Sequence, residues 1–235
     1  MIIRIKKETE KNNNCKNLLS LSKLSWKNSK DFDKGWDGRY AIETKLIQDI
    51  VKHEGVKRIL ELGSGPGRLS QRVMKATGIT DYTLVDLESA KKLFNKRKYK
   101  GKFIVKDLEN FFDVTGVGKD FDLIIMNDFL EHIRNPSHII SSSKDLLKDE
   151  GVMLCSIPNW KMGHSFFYRG LFDFDNFIYF MFFHGLSNFE LFKSNLQTMN
   201  FPMLQSESGL PEGMRRSWNI YCLFKKNEVF KNEKE

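Results

Sequence analysis

One stretch constrains this chain more than any other: Ile59-Leu-Glu-Leu-Gly-Ser-Gly-Pro-Gly-Arg-Leu-Ser70. A short apolar run stops at Gly63-x-Gly65-x-Gly67, and a helical pattern starts directly behind it. Glycines at such a junction permit positive φ and close approach of a ligand to the backbone. The helix that follows offers N–H groups with no partner inside the helix. A second run, Tyr82-Thr-Leu-Val-Asp86, ends in an acid about 20 residues on, where a carboxylate can accept both hydroxyls of a ribose.

The surrounding pattern gives the fold. Strands are expected at 58–62, 82–86, 102–106, 121–126 and 152–157, with helices at 40–51, 69–76, 89–96 and 136–148 between or before them. Pro136 suits the first turn of the last helix, and Gly151 lies just past its end. Nearly continuous apolar strands alternating with helices mean a parallel sheet covered on both faces. Ser187-Asn-Phe-Glu190 reads as a capping box opening a helix to about Asn200. Two last strands are expected near 202–206 and 218–224. The fold class is therefore α/β: a doubly wound, Rossmann-like, mostly parallel seven-stranded sheet with an antiparallel last strand. Residues 1–35 read as a basic arm with a short helix at 18–26. Residues 36–225 read as the main domain, with an aromatic insert at 158–186, and 226–235 as a disordered tail.

Composition excludes several alternatives. The 40% hydrophobic fraction is too high for a disordered chain of 235 residues. Three dispersed cysteines, Cys15, Cys155 and Cys222, make neither a disulfide framework nor a thiolate zinc site. The N-terminus lacks the apolar stretch of a secretory signal, and no run approaches the ~20 residues of a membrane span. A cytoplasmic location is the expectation. The net charge of +8 sits mainly in residues 1–35 and in Lys91–Lys102, which has seven basic residues and no acid. The surplus belongs to an arm and a distal loop, so nucleic acid is disfavoured as the partner.

The cofactor class follows from spacing and charge. A dinucleotide fingerprint places its third glycine one residue later than here. Glu61, two residues before Gly63, faces a pyrophosphate badly but suits the cationic amino-acid end of S-adenosylmethionine (SAM). Glu61-Leu-Gly-Ser-Gly-Pro-Gly67 resembles motif I of the class I SAM-dependent methyltransferases. Val85-Asp86 resembles their ribose-binding acid, and Lys106-Asp-Leu-Glu109 their adenine-binding segment. Residues 121–132 resemble their fourth-strand motif, and Leu147-Lys-Asp-Glu-Gly151 the turn before their fifth strand, with Asp-Glu where Pro-Gly is usual. The resemblance implies that Glu61, Gly63, Ser64, Gly65, Gly67, Asp86, Leu87, Asp107, Leu108 and Asn127 bind SAM.

Behind the fourth strand, Asn127-Asp-Phe-Leu-Glu-His132 resembles the corresponding segment of ubiquinone-type and surface-glycan-associated O-methyltransferases. If residues 128–132 form one helical turn, Asp128, Glu131 and His132 share a face. Three readings stay open. His132, with Glu131 beside it, removes a hydroxyl proton, as imidazole does well near neutral pH. Alternatively, Asp128, Glu131 and His132 hold a divalent ion; no metal is otherwise expected. Third, the segment only closes the cofactor pocket. A base-flipping amino-methyltransferase is disfavoured by Asn-Asp-Phe-Leu here, and Cys155, inside an apolar strand, reads as packing.

Trp160–Phe192 holds thirteen aromatic residues beyond the fifth strand, on the side where open sheets bind ligands. In glycan-type methyltransferases an Ile-Pro-Asn turn, an aromatic insert, a His and a capped helix occur here; the matching residues are Ile157-Pro-Asn159, His184 and Ser187. The insert reads as a lid over the acceptor, with Asn159, Tyr168 and His184 as contacts, or equally as a small core or homodimer face. Membrane-surface contact is a third option, weakened by the presence of only Lys161 and Arg169 as basic residues. Trp36 and Tyr40 precede or open the first helix and either cap the cofactor or staple the helix. The expected activity is methyl transfer from SAM to a hydroxyl of a small-molecule, glycan- or lipid-linked acceptor. Protein or RNA methylation, or a non-catalytic SAM-binding subunit, are the alternatives.

Overall fold

The computed structural model describes residues 29–108, 116–158, 174–186, 188–193, 198–199 and 219–226. Helix α1 (Ser29–Glu54) is followed by β1 (Arg58–Leu62), α2 (Arg68–Thr77), β2 (Asp81–Asp86), α3 (Glu88–Lys96), β3 (Lys102–Val105) and β4 (Phe121–Asn127). Then come a 3₁₀ turn (Leu130–His132), α4 (Pro136–Leu146), β5 (Leu147–Pro158), α5 (Phe174–Phe183), β6 (Asn188–Lys193), β7 (Thr198–Met199) and β8 (Asn219–Lys225). The sheet order is β3-β2-β1-β4-β5-β8-β6-β7. Strands β1 to β5 are parallel, and β8 runs antiparallel to β5 from Val152↔Lys225 to Pro158↔Asn219. The strand order reverses between β1 and β4, which opens a crevice beyond their C-terminal ends.

Both faces are buried, as continuous apolar strands require. On one face Leu60, Leu62, Ile124, Met126, Met153 and Cys155 pack with Ile139 and Ile140 of α4 and Phe177 and Met181 of α5. On the other, Ile59, Leu84, Leu123, Ile125 and Leu154 pack with Leu46, Ile47 and Ile50 of α1, Leu69 and Val73 of α2, and Phe94 of α3. Cys155 and Cys222 face each other across β5 and β8, both fully buried. No helix among the described residues is long and apolar enough to cross a membrane.

Three expectations change. The capping box at Ser187–Glu190 does not open a helix: 188–193 is strand β6, antiparallel to β8 and so running with β1–β5. The sixth strand thus falls at 188–193, while 202–206 lies outside the described residues. Tertiary pairing overrides a local cap when a free strand edge is at hand. Second, α4 ends at Leu146, and Leu147–Gly151 already belongs to β5. The register jumps from Phe121↔Leu147 to Leu123↔Val152, so the expected turn is accommodated as an irregularity in the strand. Third, α1 starts at Ser29, inside the expected arm. The chain divides into two compact units, 1–38 and 39–235. The expected helix at 18–26 and the tail 227–235 lie outside the described residues.

Candidate active site

The glycine loop lies where the strand order reverses. Gly63 N–H donates to Val85 O at 3.0 Å and Gly67 N–H to Ser64 O at 3.1 Å, which folds the loop back onto β2. Gly63 has φ +69°, and a Cβ there would lie 2.3 Å from Cδ2 of Phe129, whose ring covers the loop from behind β4. Gly67 has φ +78° and is the N-cap residue of α2, with no side-chain cap. Ser64 is buried.

Asp86 ends β2 and turns into this loop. One carboxylate oxygen accepts from Gly65 N–H at 2.7 Å and the other from Leu87 N–H at 2.6 Å. Burial raises its pKa, and these two bonds lower it. Each oxygen keeps a second lone pair for an outside donor. Lys106 N–H donates to Asp86 O at 3.0 Å, tying the loop after β3 to the same edge. There Asp107 is exposed and Leu108 is buried in the core.

Glu61 is buried, and Tyr82 Oη donates to its Oε2 at 2.8 Å. Burial pushes its carboxyl up to about 8; the charges of Glu43 and Asp86 add to the rise, and the Tyr82 bond opposes it. Asn127 ends β4 beside Ser156, and among the described residues neither polar atom of its amide finds a hydrogen-bond partner. An orphaned buried amide at the crevice is a feature a bound ligand would satisfy.

The post-β4 segment differs from one helical turn. Asp128 has φ +43° and stands outside the 3₁₀ turn. Its carboxylate binds Arg39 and accepts from Ser156 Oγ at 2.8 Å. Glu131 is fully buried, whereas the His132 side chain is 47% exposed. The two groups come within 3.6 Å, too far for a hydrogen bond. Asp128, Glu131 and His132 therefore do not share a face. Among the described residues no three His, Cys, Asp or Glu groups are placed to hold a metal ion. Neither carboxylate oxygen of Glu131 has a hydrogen-bond partner among these residues; burial, and next the charge of Asp128, hold its pKa well above the usual carboxylate range.

The outlying candidates separate. Tyr40 packs against the core and under Arg72, whose guanidinium lies 5.9 Å from its ring centroid. His184 is 2.9 Å from Ser137 Oγ and 3.4 Å from Ser141 Oγ, and Lys144 Nζ donates to its carbonyl. These contacts join both ring nitrogens of His184 to α4. Nothing is described of Trp36's side chain, and Asn159 and Tyr168 lie outside the described residues. The basic run Lys91–Lys102 covers the end of α3 and the start of β3, at the opposite end of the strands from the glycine loop. Sequence reasoning missed Arg39, Glu43, Ser156 and Tyr221, which are joined around Asp128; the one sequence signal was Arg39 and Glu43 standing one helical turn apart.

Comparison with known proteins agrees with this geometry. The model of a methyltransferase domain family matches residues 36–194, more than half of the chain. The chain belongs to this methyltransferase family. A ubiquinone biosynthesis O-methyltransferase of Actinobacillus pleuropneumoniae serotype 5b (strain L20) is 34% identical over 109 residues, 44% of this methyltransferase and 46% of that protein. The chain spans about half the length of the curated relatives of this kind. A reducing polyketide synthase of Preussia isomera is 25% identical over 119 residues, 48% of this chain and 5% of that protein. Among solved structures, the plantazolicin methyltransferase BamL, in complex with a triazolic desmethylPZN analog and SAH, aligns with TM-score 0.64 at 17% identity, over 89% of this chain and 91% of that one. The sheet and its crevice are those of a class I SAM-dependent methyltransferase.

Proposed function

We propose that this methyltransferase domain moves the methyl group of SAM to a hydroxyl of a small-molecule, glycan- or lipid-linked acceptor. The observation that carries the donor side is Asp86: a half-buried carboxylate fixed by Gly65 and Leu87 with lone pairs left over at the crevice. In this reading Asp86 holds the ribose hydroxyls, and the backbone of Gly63, Ser64, Gly65 and Gly67 wraps the amino-acid end. Glu61 answers the ammonium of that end. Asp107 accepts from the adenine amine, Leu108 lines the base, and Asn127 meets the donor with its amide. Oxygen as the accepting atom is supported by the likeness to the ubiquinone-pathway O-methyltransferases.

Bound SAM supplies an activated methyl on a sulfonium. Methyl transfer to an acceptor oxygen would release SAH, and the hydroxyl proton would have to be taken up by a residue of this chain. His132, half exposed beyond the crevice end of β4, takes that proton; the buried Glu131 carboxyl packs behind its ring. Alignment and exclusion of water supply most of the remaining barrier reduction.

Calorimetric titration with SAM tests the donor site. Wild type is expected to bind, and Asp86→Ala to bind ~100-fold more weakly or worse, since two hydrogen bonds to a charged acceptor are lost. Equal affinity of the two would remove Asp86 from the site. For the acceptor side, SAH release with a catechol is the readout. His132→Ala should lower kcat by ~10²-fold or more at unchanged SAM affinity. A matching loss of SAM affinity would sink the base role.

A further inference from the structure

Arg39 lies 2.6 Å from Glu43 Oε1 through its Nε and 2.5 Å from Asp128 Oδ2 through Nη1. Tyr221 Oη donates to the same Glu43 oxygen at 3.2 Å. Ser156 Oγ donates to Asp128 Oδ1 at 2.8 Å and accepts from Asp128 N–H at 3.0 Å. One guanidinium thus joins α1, the end of β4, β5 and β8. The side chains of Glu43 and Asp128 are 1% and 12% exposed, and that of Arg39 19%.

A buried charge network of this kind seldom adds net stability over apolar packing of the same volume. Its position argues for another role. Asp128 is a non-glycine residue at φ +43°, a conformation kept only where its surroundings over-determine it. The next residue, Phe129, places its ring where a side chain on Gly63 would be. A continuous run of contacts therefore leads from α1 through Arg39 and Asp128 to Phe129 and the glycine loop.

We propose that Arg39 is a positioning residue for methyl transfer: bridging Glu43 and Asp128, it fixes the turn behind β4 so that Phe129 seats the glycine loop in its donor-binding form. The proposal rests on the SAM-binding reading above. Arg39 acts through Asp128 and needs both its charge and its fork geometry, because Nε and Nη1 face different carboxylates. Lysine keeps the charge and can satisfy one carboxylate well.

The test compares wild type, Arg39→Lys, Arg39→Met, Asp128→Asn and the double variant Arg39→Met/Asp128→Asn. Met181→Ala, a buried change on α5 at the other face of the sheet, serves as a destabilised control. SAM affinity is read by calorimetry at a temperature where each variant is folded, and Tm by thermal unfolding. Arg39→Met should lose tenfold or more in SAM affinity, beyond the loss seen in Met181→Ala. Arg39→Lys should recover part of it, and the double variant should be no weaker than Arg39→Met, since both changes cut the same bridge. Affinity in Arg39→Met that follows Tm as it does in Met181→Ala, or losses that add in the double variant, would overturn the proposal. Should Arg39→Met not fold, Arg39→Lys and Asp128→Asn, which keep the side-chain volume, carry the same comparison against Met181→Ala. Failure of wild type to bind SAM at all would bring down the functional reading itself, a result distinct from any of these.

Discussion

Gly63→Ala is expected to abolish measurable SAM binding and to lower stability by ~2–5 kcal/mol. Two terms combine. An alanine held at φ +69° carries left-handed strain of ~1–2 kcal/mol. Its Cβ would also stand 2.3 Å from Cδ2, 2.8 Å from Cγ and 3.1 Å from Cβ of Phe129. That contact is with the base of a ring, not with the tip of a flexible chain. Phe129 is 8% exposed and follows the constrained Asp128, so relief must come from moving the loop or the turn, an overpacking cost of ~1–3 kcal/mol. Gly78→Ala isolates the first term: φ is +76°, with nothing within 4 Å of the added Cβ. Thermal unfolding and SAM calorimetry on both variants check the difference. Equal losses of stability in the two, with SAM affinity of Gly63→Ala within tenfold of wild type, would show that the close approach of Phe129 has no role.

Such an approach was invisible in sequence, although the glycine that permits it was plain. Gly63, Gly65 and Gly67 could be read because loop and helix follow one another along the chain, and local order is what residue spacing records. Asp86 was legible for the same reason: strand ends and helix starts frame it on both sides. The post-β4 turn was not, since the shared face of Asp128, Glu131 and His132 assumed a regular helix. Asp128 instead takes a left-handed conformation, stabilised by Ser156, 28 residues away, and by Arg39, 89 residues away. Partners that distant leave no spacing pattern. The Ser187–Glu190 pattern failed differently: its local signal for a helix start was sound, but the open edge of β8 offered a ladder from Asn188↔Lys225 to Lys193↔Ile220. Pairing across a sheet outweighs one cap, worth ~1 kcal/mol. The contacts of His184 were equally hidden, because its hydroxyl partners on α4 lie more than forty residues back.

Glu61 should make this protein lose stability with rising pH and should make donor binding release a proton. Its ordinary value of 4.5 is pushed up to about 8, chiefly by burial. Between those values the folded chain keeps a proton that the unfolded chain has lost. Stability from this group is therefore fully present below about pH 4.5 and declines as pH rises through about 8, by at most ~5 kcal/mol in all. Glu43 is raised as well and contributes in the same sense. The informative quantity is the difference between wild type and Glu61→Gln, which keeps an acceptor for Tyr82 and cannot ionise. Wild type should show the steeper decline between pH 5 and pH 8 in denaturant unfolding. The ammonium of SAM beside Glu61 favours the carboxylate, so binding at pH 7 should expel close to one proton. Calorimetric enthalpies in phosphate and Tris, which differ in ionisation enthalpy, report that proton directly. Wild type should differ between the buffers and Glu61→Gln should not; identical enthalpies for wild type would place the ammonium away from Glu61. Under the proposed reading, the acid in the strand before the glycines is a carboxyl that burial keeps neutral and that an arriving ammonium turns into an anion, so charge is buried there only as a pair.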